Sequence, residues 1–311
     1  MKRYLTRLTA TALLSFPTLL MGQTQDSLPN NHLIHQMEFD IAPCTVFQTK
    51  DFLKGENQKG EKIDKSIAVH LKYGFQFAPE SYFGRLYPHT YQGIGLSYNT
   101  FYNSEEVGNP VAVYFYQGSR LARLSQKLSL DYEWNFGASF GWKPHNNFTN
   151  AYNNVIGSNV NAYINLGLFL NWQMSHLWKI TTGIAATHYS NGNTRYPNAG
   201  LNLIGTRIGI TRVFDAAGTG SATGNGTLPR PSVKPHISDD LVIFGTWRSK
   251  GIVEKNYAVP GSFGVVGFNF NPMYNINRLF NAGISLDGEF DESANIQNHI
   301  AGNDDNGNIA F

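Results

Sequence analysis

The stretch Lys127-Leu128-Ser129-Leu130-Asp131-Tyr132-Glu133-Trp134-Asn135-Phe136-Gly137-Ala138-Ser139-Phe140-Gly141-Trp142 decides the fold class of this 311-residue chain. Every even position from Leu128 to Trp142 is apolar, and every odd position is polar or glycine. Successive side chains of a strand point to opposite faces, so this is one long strand with an apolar and a polar side. Val160–Met174 repeats the pattern, with Val160, Ala162, Ile164, Leu166, Leu168, Leu170, Trp172 and Met174 in phase. Ile67, Val69, Leu71, Tyr73, Phe75 and Phe77 do the same earlier in the chain. Strands in soluble sheets usually run about 5–6 residues, whereas a membrane-crossing strand needs about 9–11. The reading is therefore all-β: an antiparallel transmembrane β-barrel of the bacterial outer membrane, apolar outside and polar inside. A soluble sandwich is the alternative. Gly, Asn and charge recur on the polar face, which favours the barrel.

Composition agrees. Charged residues are 15% and aromatics 14%, and there are 31 glycines. Met1–Gly22 reads as a secretory signal peptide, with Lys2, Arg3 and Arg7 followed by the apolar run Leu13–Met21. Leu20 is not the small residue expected three before a cut, so the cleavage position stays open. Removing that leader takes the basic residues from 24 to 21 against 22 acidic ones. A balance near −1 gives no reason to expect a nucleic-acid partner. The single cysteine, Cys44, cannot form an internal disulfide. Past the leader no apolar run is long enough for a transmembrane helix.

Further strands are read at Gly93–Tyr102, Val111–Gln117, Leu177–Ser190, Leu201–Phe214, Asp240–Ser249, Tyr257–Asn269 and Leu279–Glu289, with a weaker one at Gln36–Gln48. That makes about eleven. Bacterial barrels have even numbers, so the expectation is a barrel of about 12 strands over residues 23–311 whose last strand is missing. Gly218–Gly224 is faintly like a phosphate loop but leads into Pro229, Pro231 and Pro235, and reads as a plain loop. His32 and His35 lack a third ligand, so no metal site is expected there. Asp287, Glu289, Asp291 and Glu292 are read as a lumenal or loop cluster, and Phe311 lacks preceding alternation.

The chemistry is concentrated in His188-Tyr189-Ser190-Asn191-Gly192, followed by Pro197-Asn198-Ala199-Gly200-Leu201-Asn202. His188 and Ser190 continue the apolar parity of their strand, and Asn202 that of the returning one. Three polar groups thus fall on the lipid-facing side, where unpaired polar groups are costly. Residues two apart share a face, and a diagonal cross-strand neighbour lies within about 7–8 Å. His188 can therefore serve Ser190 as general base while Asn202 orients the imidazole. Asn191 and the Gly192 N–H are candidate oxyanion donors. A lone His-x-Ser would be an ordinary interfacial loop; the shared face argues for a site.

These residues resemble a known family. His188-Tyr189-Ser190-Asn191 with Pro197-Asn198-x-Gly200 is similar to the signature of PagL-type lipid A 3-O-deacylases, outer-membrane barrel esterases. The close likeness covers about 15 residues. It implies His188 as base, Ser190 as nucleophile, Asn191 as oxyanion contributor, lipid A of lipopolysaccharide as substrate, no cofactor, and a site on the barrel's outer surface amid outer-membrane lipids. One departure is that the family's triad acid is Glu, where this chain has Asn202. Outer-membrane phospholipase A is the runner-up resemblance, through His-x-Ser-Asn-Gly and an Asn at the same spacing. It would imply 12 strands and calcium. A non-enzymatic pore or binding barrel, its lumen carrying Lys72, Lys127, Asp131, Glu133 and Lys179, is the third reading. A homodimer is left open.

Overall fold

The computed structural model describes residues 32–214, 231, 234–252, 257–259, 261–277, 280–294 and 309–310. The segment read as a signal peptide, the Gly218–Gly224 loop and Phe311 lie outside the described residues. The chain divides into two units, 26–231 and the remainder.

The first unit is a closed barrel of eight strands: β1 (Leu33–Val46), β2 (Lys65–Phe77), β3 (Thr90–Thr100), β4 (Gly108–Arg123), β5 (Leu128–Trp142), β6 (Val160–Gln173), β7 (Trp178–Ser190) and β8 (Leu201–Val213). Each pairs antiparallel with the next. β8 returns to β1 from Gln36↔Val213 to Val46↔Leu203. That last pairing corrects the expected count of about 12. Both edges are satisfied by β8, so closure needs no strand past Val213, and none is missing from the wall. The barrel occupies 33–213 rather than 23–311. Alternation tells which residues share a face, but not which strand pairs with which.

Outward side chains form the apolar belt that alternation predicts. Ile94, Phe115, Phe136, Leu166, Ile184 and Ile208 are all exposed. Inward, a charge cluster fills the lumen. Lys72 Nζ lies 2.8 Å from Glu38 and 3.0 Å from Glu133, and Arg207 lies 2.7 Å from Glu133 and 3.5 Å from Asp40. All five side chains are buried. Mutual neutralisation is what lets such groups leave water. A cavity of about 10 Å³, little more than one water, lies among Cys44, His70, Asn99 and Tyr163.

The two ends differ. Connections 47–64, 101–107, 143–159 and 191–200 share one end, with a helical turn α1 (Asp51–Lys54) in the first. The other end carries 78–89, with α2 (Tyr82–Leu86), and the tight turns 124–127 and 174–177. Taken together, the connections at the first end are the longer ones, which makes it the long-loop end. Its loops roof the barrel: Phe52, Leu53, Ile63, Val107, Val155 and Ile156 pack onto Tyr163, Tyr189, Leu201 and Leu203.

The second unit is a separate sheet. β9 (His236–Arg248) pairs with β12 (Phe263–Asn275), whose other edge carries β13 (Asn281–Gly283) and β14 (Leu286–Asp291); β14 continues to β15 (Ile309–Ala310). Between β9 and β12, β10 (Gly251–Ile252) and β11 (Tyr257–Ala258) form a small ribbon. The strands expected at 240–249, 257–269 and 279–289 thus contribute to this sheet and not to the barrel.

Candidate active site

β7 ends at the long-loop end, and its last outward residues are His188 and Ser190. Their neighbours on the same strand, Tyr189 and Ala185, are buried inward, while Ile184 and Ala186 are exposed outward. Asn202 is the second residue of β8, between the buried Leu201 and Leu203. His188 and Asn202 are directly opposed in the β7–β8 register. They are not the diagonal neighbours that spacing alone allowed, because the ten-residue connection 191–200 sets the register. His188 Nδ1 meets Asn202 Oδ1 at 2.6 Å. An amide oxygen only accepts, so Nδ1 carries the proton and Nε2 is left as the lone-pair nitrogen. Among the described residues neither Nε2 nor Ser190 Oγ has a hydrogen-bond partner. The two residues share a face about 6.6 Å apart along the strand. Asn202 is held from its other side too: its carbonyl accepts from Phe47 N at 2.9 Å.

On the outward face Ile164 stands opposite His188 and Ala162 opposite Ser190, both on β6. The side chain opposite Ser190 is thus small, and Ser190 itself is half-buried.

The connection is built by its own polar residues. Asn191 N donates to Asn198 Oδ1 at 3.0 Å and Asn191 Nδ2 to Arg195 O at 2.9 Å. Asn191 O accepts from Thr194 N and Oγ1. The Asn191 backbone N–H and one of its two amide hydrogens are therefore engaged in the turn. Gly192, at φ +61°, follows in the left-handed region, and its N–H makes no hydrogen bond among the described residues. Gly200, at φ +71°, backs onto the imidazole; a Cβ there would lie 2.9 Å from His188 Cε1.

A second loop props up the first. Asn198 bridges to Ile156, and Ala199 N donates to Val155 O at 3.2 Å. Val155 N and Ile156 N in turn donate to Asn153 Oδ1, while Asn153 Nδ2 donates to Glu106 O and Lys143 O, each at 3.0 Å. Sequence reading missed Asn153, which lies 35 residues before the motif it supports. Its only trace is the density of Asn in 146–154.

Residues set aside earlier have other partners. His35 Nδ1 bonds Tyr73 Oη at 2.8 Å. Asp291 pairs with Arg248 at 3.0 Å. The Asp287 carboxyl is held below the usual carboxylate range by hydrogen bonds from Ser285 and Asn269.

Two family models match the chain. Lipid A 3-O-deacylase (PagL) matches residues 69–211, and the C-terminal domain of acyloxyacyl hydrolase matches 237–309. No curated protein matches it. Similar solved structures include Neisserial surface protein A, at 7% identity and TM-score 0.40 over 58% of this chain and 97% of that one. The outer membrane enzyme PagL is similar at 13% identity and TM-score 0.33, covering 55% and 97%. The N-terminal β-barrel domain of Pseudomonas aeruginosa OprF gives 7% and 0.33, covering 58% and 97%. The PagL match spans β3 to β7 whole and most of β2 and β8, including His188, Ser190 and Asn202, and the second match falls on the separate sheet: this chain belongs to the PagL family of lipid A 3-O-deacylases.

Proposed function

We propose that this protein is an outer-membrane esterase that removes the 3-O-linked hydroxyacyl chain from lipid A, with Ser190 as nucleophile on the outer face of the barrel. The observation that carries this is the His188–Asn202 pair at 2.6 Å, facing outward beside Ser190 at the long-loop end. Lipopolysaccharide occupies the leaflet at that end, so its acyl esters reach the site from the membrane without entering the lumen.

Ser190 Oγ attacks the ester carbonyl as His188 Nε2 takes its proton. The tetrahedral oxyanion is met by the Gly192 N–H, which Asn191 aims by fixing the turn. Collapse leaves the acyl group on Ser190 and expels the sugar alkoxide, which takes the proton from His188. Water, activated by the same Nε2, then releases the fatty acid. Asn202 keeps Nδ1 protonated throughout; as an amide it orients the imidazolium without neutralising it. All these groups belong to one chain, so the reaction needs no dimer, and no step uses a cofactor.

The Asn at position 202 favours a second reading, a calcium-dependent phospholipase of the same Ser-His-Asn chemistry. Closure at eight strands removes the strand-count support it had. A pore finds little support in a lumen filled by the Lys72–Glu133–Arg207 cluster.

The test is mass spectrometry of lipid A and of phospholipid after incubation with purified protein, with and without chelator, beside Ser190→Ala. Loss of one hydroxyacyl chain from lipid A, insensitive to chelator and absent in the variant, is the expected result. Chelator-sensitive lysophospholipid with intact lipid A would replace the proposal by the phospholipase. No Ser190-dependent product in either pool would leave a barrel without this chemistry.

A further inference from the structure

The second unit carries an apolar face that no described residue covers. Along β9 and β12, Leu241 opposes Phe270 and Ile243 opposes Phe268 on one side of the sheet, flanked by Trp247 toward one end and Tyr274 toward the other. Leu241 is 61% and Ile243 73% exposed, comparable with Ile208 (61%) on the barrel's lipid-facing wall. The opposite side is mostly polar and internally bonded, with Val242, Phe244, Val265 and Met273 interspersed. Arg248 pairs with Asp291 at 3.0 Å, Asn275 Nδ2 donates to Ser238 Oγ at 2.8 Å, and Ser285 Oγ to Asp287 at 2.7 Å. An apolar sheet face of this extent needs a cover.

We infer that this face binds a phospholipid surface, making the C-terminal sheet a second membrane contact beside the barrel. Three observations select lipid as the occupant. The face repeats the side-chain chemistry of the barrel's own lipid-exposed wall, an aliphatic and Phe band. Its ends carry Trp247 and Tyr274, whose rings are apolar with one polar atom, the residue types favoured where acyl chains meet headgroups. And the chain leaves the barrel at Val213, opposite Gln36 near the start of β1, which is the short-turn end. A sheet covalently joined to a membrane barrel meets lipid at a local concentration far above that of any second copy. Among the described residues the free edge of β9 has no partner strand, so its backbone polar groups must stay hydrated.

The experiment uses the full-length protein in phospholipid vesicles, with Cys44→Ala removing the native thiol. Single cysteines at Ile243→Cys and Phe268→Cys on the apolar side, and Thr246→Cys on the polar side, carry an environment-sensitive fluorophore. Expected is loss of emission at 243 and 268 when the acyl chains are brominated, with protection from aqueous iodide, and the reverse at 246. Iodide quenching at 243 and 268 without quenching by brominated lipid would overturn the inference, as would identical behaviour at 243 and 246. Shielding of 243 and 268 from both quenchers, with disulfide-linked dimers through these cysteines, would overturn it in favour of a second copy.

Discussion

Gly200 stands against the imidazole of His188: a Cβ at this position would come within 2.9 Å of Cε1 and 3.7 Å of Nδ1. The residue also sits at φ +71°, where a side chain is strained. Gly200→Ala should tilt the ring away from Ser190 and lower deacylation by about 10- to 100-fold. The barrel should keep its folded mobility on gels, since no lumenal contact changes. Unaltered turnover in a folded variant would mean that His188 is not the base.

Asn202 offers a graded test of the same ring. Removing the acceptor in Asn202→Ala frees the imidazole to rotate and change tautomer, and should cost about 10- to 100-fold in kcat. Asn202→Asp keeps the acceptor and adds charge that stabilises imidazolium, so activity should rise by about 3- to 10-fold near neutral pH. Lipid A deacylation rates of the two variants check this, and an Asp variant slower than the Ala variant would contradict it.

Asn153 acts on the site through the loop it ties down. Asn153→Ala leaves the Val155 and Ile156 N–H groups without acceptors, at a cost of about 1–3 kcal/mol each while they stay buried. The expected outcome is easier protease cleavage within 143–159 and a lower kcat, with the strands still paired. Limited proteolysis beside a turnover assay separates the two effects. Wild-type cleavage rates would show that the loop does not depend on this side chain.

The lumen gives a prediction about stability alone. Glu133 accepts from both Lys72 and Arg207, at 3.0 and 2.7 Å, with all three side chains buried. Glu133→Gln leaves the two cations with less compensation and should destabilise the barrel by about 3–5 kcal/mol. The urea midpoint in lipid vesicles is the readout. At low urea, lipid A turnover should match wild type, because Glu133 faces away from Ser190. A midpoint unchanged within error would mean that the remaining carboxylates, Glu38 and Asp40, suffice.

Two-residue periodicity in the sequence determined which side chains face lipid and which face the lumen, because a strand alternates its faces whatever it pairs with. On that ground the outward placement of His188, Ser190 and Asn202 was legible, and the motif around them pointed to the family. Pairing was not legible. The weakly patterned β1 closes the barrel on β8, and the well-patterned 236–291 stays outside it, because hydrogen-bond partners are chosen over the whole fold and equal alternation fits many partners. The direct His188–Asn202 opposition, the Gly200 contact and the hydrogen bonds of Asn191 likewise depend on the path of 191–200 and on its support from Asn153. The loop path that makes them is held by Asn153 and Glu106, distant in the chain, so only the tertiary structure decides them.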